Sequence, residues 1–294
     1  MRERSGTLPG LGGVRLFYRI WEPQQAVGNL VLVHGAGEHI GRYEHVAAWF
    51  TRRGFAVCAM DHRGHGRSEG ARMHVDRFAD YLADLREFVR LATEAHGRPV
   101  MIGHSMGGLI AYRYAAAHPE TISALVLSSP WFLSRAKVSR VEQALAPLLA
   151  VLVPRLQVKS GIPPEICTRN AERIALDRQD PLRCQTATPR WFVECTRAAS
   201  ECRTSVTLPA GLPALFLVAG EDQLVDPGVT REVFDRIGHG DKRFRLYPEK
   251  YHEIFNDPGH EEVFAEILAW LQEHGLGPGS TDRPQERELA PQAD

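Results

Sequence analysis

The chain predicts an α/β fold in which a mostly parallel sheet is flanked by helices and interrupted by one inserted helical lid. Three observations carry that prediction. Short apolar runs alternate with helix-period segments through most of the 294 residues, as in sheets covered by helices on both faces. One run breaks abruptly into "GHSMGG" at 103–108 and resumes as an Ala-rich helical segment, so the chain must reverse within a few residues. The interval 131–208 fits neither pattern and is too long for a connection. A chain of this length can bury one such core with an insertion. The core is therefore placed at 1–130 and 209–275, the lid at 131–208 and a disordered tail at 276–294.

Taken in order, "MRERSGTLPG" has no apolar centre that would make it a signal peptide, and no stretch approaches the ~18 apolar residues of a membrane span. The chain reads as soluble and cytoplasmic. Strands are expected at "VRLFYRIW", "NLVLVHG" and "FAVCAMD", with Cys58 as ordinary strand core. A helix over about 76–96 follows, with Asp76 at its cap and Phe78, Leu82, Leu85, Phe88, Val89 and Leu91 on one apolar face. "PVMIGHS" is a buried strand, 107–118 the helix after the sharp turn, and "ISALVLSS" the strand before the lid. "PALFLVAG", a helix over 227–237, the strand "FRLYP" and a helix over 258–273 complete the alternation. The final "GPGSTDRPQERELAPQAD" lacks the apolar residues that would hold it in a fold.

Within the lid, "VEQALAPLLAVLVPRLQV" is apolar almost throughout from Ala144 to Pro154. "TRNAERIALD" follows as a capped helix, and Trp191 and Phe192 form an aromatic pair. The bland reading is a helical subdomain packed on the core. The functional reading is a lid whose apolar face meets an acyl chain through Leu148, Leu152, Trp191 and Phe192, and which touches a membrane or micelle surface transiently.

Charge narrows the partner. Thirty-five basic and 36 acidic residues are intermixed and leave a net charge of -1, so nothing electrostatic points to nucleic acid. Cys58, Cys167, Cys184, Cys195 and Cys202 are odd in number and lack CxxC spacing, which argues against a disulfide framework or a zinc site.

The turn at 103–108 is where chemistry is expected. Gly103, Ser105 and Gly107 fit GxSxG, in which small neighbours let a strained turn lift a hydroxyl above the sheet edge. Serine is a weak nucleophile without a base and an orienting acid. Ligands in parallel sheets bind beyond the carboxyl ends of the strands, so those partners should follow strands. Of the later histidines, His239 precedes "FRLYP", while His260 and His274 belong to the last helix and its end. His252, in "PEKYHEIFND", comes right after the strand. Asp222 directly follows "PALFLVAG", with Glu221 as a stand-in, whereas Asp226 precedes Pro227 and reads as a helix cap. The backbone amides of Met106 and of Ala36, in the glycine-rich "HGAGEHIGRY", are placed to form an oxyanion hole.

"HGAGEHIGRY" (34–43), "DHRGHGRSEG" (61–70), "GHSMGG" (103–108), "GEDQLVD" (220–226) and "YHEIFND" (251–257) resemble the monoacylglycerol lipase and lysophospholipase-like family of α/β-hydrolases. The resemblance spans roughly 10–130 and 210–273. It implies the α/β-hydrolase fold, Ser105 as nucleophile, Asp222 and His252 as its partners, and Ala36 and Met106 as oxyanion donors. It also implies that Arg63 and the small residues beside it shape a loop next to the site.

The expected activity is hydrolysis of a small-molecule acyl ester, an acylglycerol, through an acyl-enzyme. Lysophospholipids and general carboxylic esters are the alternatives. No metal or cofactor is implied, because three side chains and two amides complete the inventory. A peptidase of the same fold would need acidic groups for a substrate amine, and Glu38, Glu194 and Glu201 are the candidates. Ser105 argues against epoxide hydrolases and dehalogenases, which place an aspartate at the turn. The full triad argues against a non-catalytic receptor.

Overall fold

The computed structural model describes residues 1–135, 140–159 and 162–278. The tail expected from 276 lies outside the described residues beyond 278. The strands are β1 (Arg2–Pro9), β2 (Arg15–Glu22), β3 (Gly28–Val33), β4 (Phe55–Met60), β5 (Val100–His104), β6 (Ala124–Ser128), β7 (Val158–Lys159), β8 (Thr186–Ala187), β9 (Ala214–Ala219) and β10 (Lys242–Tyr247). The helices are α1 (Glu44–Thr51), α2 (Ala79–His96), α3 (Met106–Ala117), α4 (Arg140–Leu152), α5 (Ala171–Gln179), α6 (Pro189–Thr204), α7 (Pro227–Asp235) and α8 (His260–Glu273).

Among the described residues, one sheet runs in the order β1-β2-β4-β3-β5-β6-β9-β10. β1 and β2 are antiparallel to their neighbours, and every pair from β4 to β10 is parallel. β4, β5, β6 and β9 are buried along their whole length, which is why they read as unbroken apolar runs. Cys58 is core, as expected. On one face, α2, α3, α6 and α7 pack through Phe88, Leu109, Ala198 and Val233. On the other, α1 and α8 pack through Trp49, Phe50, Phe264 and Trp270.

The structure departs from expectation in three places. β1 pairs with β2 from Arg2–Glu22 to Pro9–Arg15, although only Leu8 of the strand is buried; its polar sequence suits a sheet edge. The short helix α1 was not expected. Asp76 is not the cap of α2: the helix begins at Ala79, and Asp76 Oδ1 pairs with His74 Nε2 at 3.2 Å. The Phe78 amide donates instead to Glu194 Oε2 of α6, at 2.9 Å, so a carboxylate distant in sequence satisfies the helix start.

The segment between β6 and β9 carries α4, α5, α6 and the small ladder β7–β8. α5 starts where Asn170 accepts from the amides of Glu172 and Arg173. α6 starts at the Thr188 cap with Pro189 in its first turn. α6 is part of the body, for Trp191, Cys195, Ala198 and Cys202 are buried in the main core. α4 turns Ala146 and Ala150 inward and leaves Leu145, Leu148, Val151 and Leu152 exposed. Among the described residues, no helix is long and apolar enough to cross a membrane.

Candidate active site

β5 delivers the turn. Ser105 lies between β5 and α3 with φ 55° and ψ −119°, a left-handed conformation that costs a non-glycine residue roughly 1–3 kcal/mol. The two glycines of the motif answer to close packing. A Cβ on Gly103 would stand 2.5 Å from the Gly107 carbonyl oxygen, and one on Gly107 would strike the carbonyl oxygens of Val33 and His34. The turn is thereby pressed against the end of β3. Its carbonyl accepts from the amides of Leu109 and Trp131.

The expected base and acid come from neighbouring strand ends. Asp222 follows β9 and His252 follows β10, and His252 Nδ1 meets Asp222 Oδ2 at 2.7 Å. Asp222 Oδ1 also accepts from the amides of Leu224 and Val225, at 2.8 and 2.9 Å, so the carboxylate is fixed on both oxygens. Burial disfavours its charge, but the His252 partner and these amides hold its pKa below the usual carboxylate range. Burial likewise opposes a charged His252, yet Asp222 raises its pKa above the ordinary value. The His252 ring lies 4.8 Å from that of His104, the residue before Ser105, which brings the imidazole to the turn. Asp226 caps α7, accepting from the amides of Gly228 and Val229 at 2.8 and 3.2 Å. Glu221 is exposed.

The loop after β3 faces the turn. A Cβ on Gly35, the residue before Ala36, would lie 3.2 Å from Ser105 Cβ, while Met106 opens α3, where amides lack intrahelical partners. Two groups hold this loop. His34 Nδ1 donates to the Gly35 carbonyl at 2.8 Å, and its Nε2 accepts from the His62 amide at 3.0 Å. Glu38 accepts from the Gly35 amide at 2.8 Å and from Tyr43 Oη at 2.7 Å, and pairs with Arg42.

Arg42 is buried and meets Asp177 of α5 at 2.5 Å and Glu253, next to His252, at 2.9 Å. These partners outweigh burial and drive its pKa up. Arg42 and Glu253 were not among the expected site residues. They lie inside quoted motifs, but charged residues in polar loops read as solvated surface until the fold buries them.

The remaining expected residues are dispersed. Arg63 pairs with Asp84 of α2 at 2.6 Å, while its neighbours His62 and His65 pack on His34. Trp191 is buried with its ring 5.6 Å from that of Trp131, whose amide bonds the Ser105 carbonyl. Phe192 is half-buried against the same core. Leu148 and Leu152 are 53% and 67% exposed. The acids that could bind a peptide amine are already committed: Glu38 as above, Glu194 to the Phe78 amide and Arg197, and Glu201 to Arg113.

A family model described as serine aminopeptidase, S33, matches residues 24–259. Monoacylglycerol lipase from Mycolicibacterium smegmatis is 34% identical over 90% of this chain and 95% of its own length. Phospholipase YtpA from Bacillus subtilis is 29% identical over 86% of this chain and 98% of its own. The crystal structure of Paleococcus ferrophilus monoacylglycerol lipase superimposes with a TM-score of 0.75 at 30% identity, covering 93% of this chain and 100% of that one.

Proposed function

The chain belongs to the monoacylglycerol lipase family of α/β-hydrolases, and from that premise we propose that Ser105, His252 and Asp222 cleave acylglycerol esters through an acyl-enzyme. The chain is a serine ester hydrolase. The observation that carries the assignment of residues is the 2.7 Å contact between His252 and Asp222, next to a serine held in a strained turn. His252 Nδ1 donates to Asp222, which leaves Nε2 as the acceptor for the Ser105 proton when the hydroxyl attacks the ester carbonyl. The amides of Ala36 and Met106 receive the oxyanion, each contributing about 3 kcal/mol to lowering the barrier. His252 then returns the proton to the leaving alcohol. Water repeats the attack on the acyl-serine with the same base.

The outer part of the insertion 131–208 acts as a lid. Its outer helix exposes Leu145, Leu148, Val151 and Leu152 together, an apolar face suited to a lipid or micelle surface and to the entry of an acyl chain. Trp191 and Phe192 lie further in and would meet the chain after entry. Peptide substrates are disfavoured because Glu38, Glu194 and Glu201 are already paired. A lysophospholipase reading is favoured by the relative named a phospholipase.

A fluorophosphonate probe tests the nucleophile. Wild-type chain should label and Ser105→Ala should not, with ester turnover falling by several orders of magnitude. Undiminished labelling of the Ala variant would reject the assignment. Monoacylglycerols, lysophospholipids, p-nitrophenyl esters and an aminoacyl anilide, assayed side by side, then rank the substrates.

A further inference from the structure

We infer that Asp257 is a positioning residue for the catalytic base, held in place by the inserted segment Cys167–Asn170. Part of the insertion then serves the chemical step as well as substrate entry. The inference rests on the reading of His252 as general base.

Asp257 follows His252 by five positions and is fully buried. Its Oδ1 accepts from Thr168 Oγ1 at 3.0 Å and from the Arg169 amide at 2.7 Å. Its Oδ2 accepts from Arg169 Nη2 at 2.9 Å and from the Tyr251 amide at 3.2 Å. One carboxylate thus closes the loop beside His252 and grips the insertion. Cys167 and Asn170 hold the same loop: the Cys167 carbonyl accepts from the Glu253 amide at 2.8 Å, and Asn170 Nδ2 donates to the Asn256 carbonyl at 3.1 Å. The core holds the loop as well, through the Arg42 pair with Glu253, the Glu221 amide to the Lys250 carbonyl and His45 Nε2 to the Phe255 carbonyl, while Lys250 Nζ closes the loop on the Pro258 carbonyl.

An ionised carboxylate only accepts hydrogen bonds, so it suits a site where four donors converge. An amide of the same shape would turn its own N–H groups toward some of those donors. The loop would then shift, and with it the imidazole that must meet both Asp222 and Ser105. A displacement of about 1 Å at such a group costs about 100-fold in rate.

The test uses the full chain with p-nitrophenyl acetate as substrate, followed across pH. Asp257→Asn should lower kcat by about 100-fold with little change in KM. Its acid limb should move to lower pH, because an imidazole further from Asp222 loses the charge that raises its pKa. Thr168→Val, which removes one donor on the insertion side, should move both quantities the same way by a smaller factor. Thr168→Ser should restore them. Wild-type kcat and an unmoved acid limb in Thr168→Val overturn the inference, as does a loss confined to KM. Should Asp257→Asn fail to fold, the Thr168 pair decides alone. His252→Ala is the reference: if it stays active, the base assignment falls and takes the inference with it. If it is inactive while Thr168→Val behaves as wild type, only the positioning role falls.

Discussion

Asp222 and Asp226 are four residues apart after one strand, yet their partners separate their roles. Asp222 is bound to the His252 imidazole, and Asp226 to the first amides of α7. Asp222→Asn should cost about 10⁴-fold in kcat, because an amide favours the wrong imidazole tautomer. Asp226→Asn keeps a good capping oxygen and loses only the 3.3 Å pair with Arg135, so stability should fall by at most about 1 kcal/mol and kcat little. Kinetics that ranked the two variants the other way would exchange the roles. The same residues fix the sign of the pH profile. The base works when neutral, and Asp222 raises the His252 pKa above about 6.5, so kcat/KM should rise with pH through a midpoint above that value. His104 titrates elsewhere, since burial and the neighbouring His252 hold it down at about 4. A midpoint below 6.5 in wild-type chain would contradict the assignment of His252.

At the scale of elements, α4 and α5 divide the insertion. α5 is tied inward through Asp177 to Arg42 and through Asn170 to the loop that carries His252. α4 packs on α6, buries Ala146 and Ala150, and leaves Leu145, Leu148 and Leu152 outward. Replacing Leu148 and Leu152 with serine should therefore flatten the rise of kcat/KM along a monoacylglycerol series, where each buried methylene contributes up to ~0.8 kcal/mol. It should weaken liposome binding while short acetate esters still turn over. Equal losses on acetate and long chains would instead show damage to the core.

The parts of the fold legible in the sequence were those whose burial is written locally. The buried strands, the helices after them, the capped helix at "TRNAERIALD" and the Asp226 cap could all be read from residues close together. β1 escaped because an edge strand covered on one side needs few apolar residues. The Asp76 cap was misread because its competitor, Glu194, lies more than a hundred positions away. Of the candidate site, Ser105, Asp222 and His252 were expected from strand ends, whereas the buried Arg42 and Asp257 were not, because buried charges are recognised only by partners that folding brings.

Over the whole molecule, those buried polar groups make acid the weak side. His34, His62, His65 and His104 are enclosed and neutral. Burial is the first cause of their low pKa values, aided for His34 by His62 and His65 and for His104 by His252, with His62 held at about 3 and His65 and His104 at about 4. Unfolding returns each to about 6.5, so the unfolded chain binds more protons below that pH. Stability should therefore fall as the pH drops from about 6.5 toward 4, by about 3 kcal/mol for a group moved from 6.5 to 4. His252, with a raised pKa, has the opposite sign, but it is one group against four. The histidines at 34, 62 and 65 pack on one another behind the loop that bears Ala36, with His34 and His62 at 4.3 Å between ring centres, so activity should be lost with the fold. Urea midpoints measured between pH 8 and pH 4 should hold steady above about 7 and decline below 6.5 at constant m. His62→Phe should make that decline shallower, since both ring nitrogens of His62 lack hydrogen-bond partners among the described residues and the ring packs edge-on against Tyr81. A midpoint that stayed flat to pH 4 in wild-type chain, or fell as steeply in His62→Phe, would remove the buried histidines as the cause.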